Sequence, residues 1–320
     1  MFYLFSKFIS SLAIKLFLKS VKIINSDYVK PGKPYLLASN HSGSFFDAIV
    51  IGQFLVQPIH TFTRADVFRN PRIAKWLRRI NLIPAYRGTE GGREYLLKNE
   101  ESFRMVRKMF GANACIVIFS EGIAANEWKL RPLAKGTGRL AWQTWFGENP
   151  ILEMEVVPTG LTYEHYLGAN KNVLVQYGEP IRHDSIPVDP NQPEKWLRAF
   201  NQELTKRMRA CILETPDGKP DPAQLEQYIP PRKSNPVFQL IGKIGRLVNR
   251  PIYRLFFKPI YKKTEGTVFF DSVLYGSLLY IYPVIIALLS LIMGVLTSFE
   301  WAIATFIGMP VLAWFGNQYR

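Results

Sequence analysis

Two cysteines and four histidines are the only thiol and imidazole groups in 320 residues. Cys115 and Cys211 stand far apart with no Cys-x-x-Cys spacing. They indicate neither a disulfide framework nor a zinc site and read as small buried hydrophobes. Acid is also scarce, with 25 Asp and Glu against 40 Lys and Arg, a net charge of +15. That imbalance calls for an anionic partner: nucleic acid, acidic phospholipid or a negatively charged substrate. The chain contains no internal repeat, no low-complexity tract, no Gly-x-Ser-x-Gly elbow, no P-loop and no His-Glu-x-x-His, so the motifs of several common enzyme classes are missing. A hydrophobic content of 48% still suffices for a large core.

Charge of either sign is missing where it matters most, near the C-terminus. Ser272–Ser298 runs 27 residues without a charged side chain, and after Glu300 the stretch Trp301–Tyr319 runs another 19. About 20 apolar residues cross a bilayer, and soluble helices rarely go so long uncharged. A transmembrane hairpin over 272–320, or one span with a re-entrant segment, is expected. The preceding Arg232–Lys263 carries nine Lys/Arg and no acid. Segment 232–271 therefore reads as a basic juxtamembrane element that faces the cytoplasm and meets anionic head groups. The N-terminus has the same bias, with four lysines and no acid in the first 26 residues. On a helix Lys7, Ser11, Lys15, Lys19 and Lys22 form one stripe, and Phe2, Phe5, Phe8, Leu12 and Leu16 lie elsewhere. Residues 1–33 are thus expected to form an amphipathic helix on a membrane surface, the alternative being a helix docked on its own domain.

Between these ends, 34–231 reads as one α/β domain. Short apolar runs at Tyr35–Ala38, Ile59–Thr63, Ala114–Phe119, Met154–Pro158 and Val173–Tyr177 fit buried strands. Helical patterns at Ala48–Leu55, Pro71–Arg79, Glu94–Met109, Gly138–Trp145 and Pro193–Glu214 alternate with them. The predicted fold is a mostly parallel sheet covered by helices.

The densest chemical signal is Ala38-Ser39-Asn40-His41-Ser42-Gly43-Ser44-Phe45-Phe46-Asp47, where a buried strand gives way to a helix. α/β sheets present their sites at such points. An imidazole removes a proton near neutral pH, and a carboxylate one turn away fixes its tautomer and stabilises its charged form. The pair would activate a hydroxyl belonging to the substrate. The bland alternative is a His and an Asp serving separately as turn and cap residues.

Further segments resemble the lysophospholipid (glycerolipid) acyltransferase family, in order, over about residues 35–165. That family carries Asn-His followed by Asp, as Asn40, His41 and Asp47 do, usually with four residues between His and Asp where this chain has five. Gly43 offers the freedom to absorb the extra residue. The second block survives only in Arg87, with Arg64 and Pro71 upstream. The third reads Phe119-Ser120-Glu121-Gly122-Ile123-Ala124, keeping Glu and Gly but not the proline, threonine and arginine. Leu130–Gly138 and Val156–Leu161 resemble the later loop and strand. The resemblance implies that His41 is a general base paired with Asp47, and that Asn40, Arg64, Arg87, Glu121, Gly122, Arg131 and Lys135 shape the substrate site. Backbone donors at the helix start after His41 would stabilise the oxyanion. It implies acyl-CoA or acyl carrier protein as donor substrate, no metal or other cofactor, and a lysolipid acceptor, with a lysophosphatidic type favoured.

Gly136-Thr137-Gly138-Arg139-Leu140-Ala141 spells a dinucleotide-binding pattern, but no buried strand precedes it, so the context it needs is absent. A nucleic-acid partner is disfavoured because the basic block adjoins the apolar spans. The expectation is therefore an integral enzyme of the cytoplasmic membrane, its catalytic domain facing the cytoplasm, that acylates a lipid hydroxyl. Acylation of a non-glycerophosphate lipid, a lipid esterase using the same pair, and a non-enzymatic basic membrane protein are the alternatives.

Overall fold

Alternating burial along the central strands sends side chains of opposite parity into two separate cores. In the computed structural model, which describes residues 2–86, 88–231 and 235–319, seven strands form one sheet. They are β1 (Leu18–Ile24), β2 (Tyr35–Ser39), β3 (Ile59–Arg64), β4 (Leu82–Ala85), β5 (Cys115–Phe119), β6 (Glu155–Tyr163) and β7 (Lys171–Tyr177), in the order β1-β7-β6-β2-β5-β3-β4. Every pairing is parallel except β6 with β7. Fully buried β2 lies at the centre, between β5 and β6.

Leu36, Ala38, Ile116 and Val156 face one core with α4 (Gly88–Phe110), α5 (Gly136–Phe146) and α6 (Pro193–Arg209). Trp145, Trp196 and Phe200 stack there edge to face and face to face, an arrangement that adds to their area burial. Gly138 lies under that helix pair, where a Cβ would come 3.1 Å from both Leu197 and Phe200. The dinucleotide-like pattern is thus a packing feature. Leu37, Cys115, Val117, Val157, Leu161 and Val173 face the other core with α1 (Phe2–Phe17) and α2 (Phe45–Phe54). Alternation with a covered sheet on both faces follows from βαβ connectivity.

The N-terminal expectation needs correction. The helix stops at Phe17, and Leu18–Ile24 becomes edge strand β1 beside β7. Lys19 and Lys22 therefore belong to a strand, and the basic stripe is limited to Lys7 and Lys15. Val21, Ile23 and Ile24 supply the β-branched pattern that wins over the helical one. The α/β domain accordingly begins before residue 34. On α1 itself Phe2, Leu4, Phe5, Phe8 and Leu12 are exposed, and the Lys7 ammonium donates to the Leu55 carbonyl.

The C-terminal third is a packed trio of long helices, α8 (Pro236–Thr264), α9 (Phe270–Leu296) and α10 (Phe299–Gln318), with a short α7 (Pro222–Glu226) before them and α3 (Pro71–Arg79) earlier. Within the basic segment, Pro236–Thr264 is one continuous helix of 29 residues. α9 and α10 are long and apolar enough to cross a bilayer, and only 6% of each apolar window is buried. Gly245 and Gly316 let α8 and α10 touch at the backbone, since a Cβ on Gly245 would come 2.0 Å from the Leu312 carbonyl oxygen. Such small-residue contacts are how apolar helices approach closely where burial from water gives no drive. Phe270, Leu274 and Tyr275 of α9 enter the core that holds α2.

Candidate active site

The chain leaves β2 at Ser39 and reaches the first turn of α2 through Asn40–Ser44. Asn40 is spent on holding this exit. Its Oδ1 accepts from the Leu161 N–H at 2.8 Å and its Nδ2 donates to the Leu161 carbonyl at 2.9 Å and Ser42 Oγ at 3.0 Å. It clamps β2 to β6 rather than projecting toward a substrate.

His41 Nδ1 lies 2.8 Å from Asp47 Oδ2. Asp47 is wholly buried, and His41 is 19% exposed. The carboxylate also accepts from the Gly43 N–H at 2.9 Å and from the Tyr163 hydroxyl at 2.7 Å. Burial, then the Asp47 charge, pushes the Tyr163 phenol well above its usual range, so it stays protonated and donates. Held this way, Nδ1 carries the ring proton toward Asp47 and Nε2 is left as the basic atom. No described protein atom hydrogen-bonds Nε2. The ring lies flat on Phe119, centroids 3.9 Å apart and planes 10° from parallel.

The extra residue of the loop is accommodated differently from expectation. Ser44, not Gly43, has the left-handed φ of 58°. Gly43 is needed for space, because a Cβ there would lie 2.7 Å from Asp47 Oδ1. Two amides in the first turn of α2 are occupied too. The Phe46 N–H is shared between the Gly43 carbonyl and Ser272 Oγ, and the Asp47 N–H goes to the Ser44 carbonyl. Neither is available as an oxyanion donor.

Glu121, two residues beyond β5, ties the loops together. Its Oε2 accepts from the His41 N–H at 2.6 Å and its Oε1 from the Arg131 N–H at 2.7 Å. Burial raises its carboxyl pKa, opposed by those amides. Glu121 thereby fixes the His41 backbone. Gly122, at φ 72°, makes the turn that aims Glu121 back. Arg131 sends its side chain to Glu127 at 3.4 Å and lines a cavity of about 750 Å³ with Ala124, Ala125, Asn126, His165 and Tyr166. Ala125 donates to the His41 carbonyl, which ties the lining of this cavity to the His41 backbone. Lys135 is exposed at the start of α5 and lines none of the cavities described here.

Arg64 stands apart, at the C-terminal end of β3, gripping Asp66 through two bonds of 2.7 and 3.1 Å. With Arg69, Arg78, Lys98, Tyr86 and Tyr95 it lines a separate polar cavity of about 320 Å³. Arg87 lies outside the described residues. All these groups follow the C-terminal ends of parallel strands, where such sheets open their crevices. Tyr163 had gone unrecognised. Its signal was parity, since it shares the inward face of Val157 and Leu161, and a buried tyrosine needs a partner for its hydroxyl.

Residues 20–162 match the family model described as Acyltransferase. The chain is 25% identical over 123 residues to glycerol-3-phosphate O-acyltransferase 2 of Saccharomyces cerevisiae, covering 38% of this chain and 16% of that protein. The crystal structure of the 1-acyl-sn-glycerophosphate (LPA) acyltransferase PlsC from Thermotoga maritima aligns with a TM-score of 0.43 and 15% identity, covering 64% of this chain and 85% of that one. The matched segment encloses both His41 and Asp47. The likeness to the acyltransferase family thus lies in residues 20–162, a little under half of the chain.

Proposed function

We propose that the protein is a membrane-bound O-acyltransferase that moves a fatty acyl group from a thioester, acyl-CoA or acyl carrier protein, onto the hydroxyl of a lysophosphatidic-type lipid. The supporting observation is the His41–Asp47 pair at 2.8 Å, with Asp47 buried and His41 partly exposed. Nε2 takes the acceptor proton as the hydroxyl oxygen attacks the thioester carbonyl. The imidazolium, stabilised by Asp47, then protonates the thiolate that leaves as the tetrahedral intermediate collapses. One C–O bond forms, one C–S bond breaks, and the proton passes from acceptor to thiol.

The phosphate of the acceptor is assigned to the cationic cavity of Arg64, Arg69, Arg78 and Lys98. Guanidinium forks match phosphate oxygens. Arg87, three residues beyond Pro84 of that cavity in sequence, belongs to the same proposal. α9 and α10 anchor the enzyme, α1 lies on the same surface with its aromatic face in lipid, and the basic α8 favours the cytoplasmic side. Purified full-length protein in lipid nanodiscs, given acyl-CoA or acyl carrier protein with a panel of lysolipids, should yield diacyl product by mass spectrometry. Product from a neutral lysolipid alone would move the acceptor out of the phosphate class. Free fatty acid in the presence of acceptor would make the protein a hydrolase, an esterase if the acid derives from the lysolipid and a thioesterase if it derives from the donor.

A further inference from the structure

Helix α2 carries the Asp47 carboxylate in its first turn but lacks a cap of its own. The residue at its N-cap, Ser44, makes no capping bond through its side chain, and sits at φ 58°, ψ −136°. That conformation strains any residue with a Cβ. Asp47 stands at N3 and gives both oxygens to His41, Gly43 and Tyr163, so it cannot reach back to cap the helix.

A hydroxyl from a distant part of the chain fills that place. Ser272 Oγ accepts from the Phe46 N–H at 3.1 Å and donates to the Gly43 carbonyl at 3.3 Å. N2, where Phe46 lies, is one of the two amides that an N-cap side chain normally serves. The turn that delivers Ser272 is itself fixed. Asp271 accepts from the Gly168 N–H at 2.7 Å and pairs with the Lys171 ammonium, both side chains being buried. Phe270 and Leu274 flank the pair in the core shared with α2.

We infer that Ser272, on the first turn of the apolar helix α9, is a positioning residue for the His41–Asp47 pair, and that it braces the loop that ends at Ser44. The catalytic geometry is thereby made dependent on the seating of the C-terminal helices. This inference rests on the acyl-transfer reading.

The test is steady-state kinetics of the full-length protein in lipid nanodiscs, with the donor and acceptor on which the wild type is active. Ser272→Ala should lower kcat about tenfold, in line with a loop bond lost from a strained segment, and leave the acceptor KM within about twofold. Ser272→Thr keeps the hydroxyl and should recover most of the rate. Ser44→Gly in the Ser272→Ala background should recover part of it, because glycine holds φ 58° without strain. Ser290→Ala, which loses a hydroxyl bond of 2.7 Å to the Ala302 carbonyl further along α9, should leave kcat unchanged. If Ser272→Ala does not accumulate in membranes, Ser272→Cys weakens the same bonds at similar volume and should show the same fall in kcat. Wild-type kcat in the Ser272 variant, a change confined to KM, or an equal loss in Ser290→Ala would overturn the inference. A wild type inactive with every donor and acceptor overturns the acyl-transfer reading and this inference with it; an active wild type indifferent to Ser272 overturns only the latter.

Discussion

Two aspartates sit in the first turns of two helices, and each faces a basic side chain. Asp47 of α2 holds His41, and Asp271 of α9 holds Lys171. Each also accepts a backbone N–H, from Gly43 and Gly168. They differ in access. Lys171 is wholly enclosed, whereas the His41 side chain is partly exposed and only its Nδ1 is engaged by Asp47. A pair closed on all sides has no free valence for a substrate and acts on structure alone. A pair open at one atom lends its polarisation to whatever docks there. Burial depresses the Lys171 pKa, with Asp271 opposing the effect, so the closed pair persists only while both partners are present.

Removing one partner from each pair should separate these roles. His41→Ala should lower turnover by about a hundred- to ten-thousand-fold, with only a modest fall in melting temperature from the lost stacking on Phe119. Asp47→Asn should be comparably severe in rate, since the amide favours the wrong tautomer. Near-normal turnover in correctly inserted His41→Ala would sink the general-base role. Lys171→Met should do the reverse. It strands the Asp271 charge, a loss of about 3–5 kcal/mol, read as a lower melting temperature in detergent. The double change Lys171→Met with Asp271→Leu should regain much of that. A Lys171 variant as stable as wild type would mean that the closed pair does not seat α9.

Glu121→Gln should fall between these extremes. The carboxylate offers an acceptor to each of two amides, at His41 and Arg131, whereas a glutamine must turn its NH2 toward one of them. That leaves a donor facing a donor, at about 1–3 kcal/mol, with the damage in kcat because it is the His41 backbone that shifts. An unchanged kcat would show that another contact fixes His41.

Most of the fold could be read from apolar runs of strand length, and Pro71–Arg79 was bounded correctly by its proline and its basic last turn. β1 was hidden because Leu18–Ile24 continues an amphipathic pattern whose period fits a helix as well as a strand; pairing with β7 decides between them. β4 was hidden by its length of four residues and by Pro84, tolerable only at the sheet edge it occupies. The His–Asp pair was legible because both residues lie in one local segment. Tyr163 and Ser272 were not, because they meet Asp47 and its loop across 116 and 226 residues of sequence, and Lys171 meets Asp271 across 100, from strand and helix ends that only the topology brings together.

Tyr163 offers the finest test, since it touches both pairs. Its hydroxyl donates to Asp47 at 2.7 Å, and its ring face lies 5.5 Å from the Lys171 ammonium. Tyr163→Phe removes the first contact and keeps the second. The lost hydrogen bond leaves Asp47 with Gly43 and His41 as donors, so the carboxylate is not orphaned and stability should fall by only about 1 kcal/mol. Freed from one restraint, the carboxylate can rotate about its bond to Cβ, and the His41 ring follows it. The rate should therefore drop by about three- to tenfold, at near-constant KM, since the lost contact orients the base without touching substrate. Tyr163→Leu removes the ring as well, and should add a loss of melting temperature through the Lys171 side. If Tyr163→Phe and Tyr163→Leu instead show the same rate and the same stability, the two aspartate pairs are not linked through this side chain and act as separate devices.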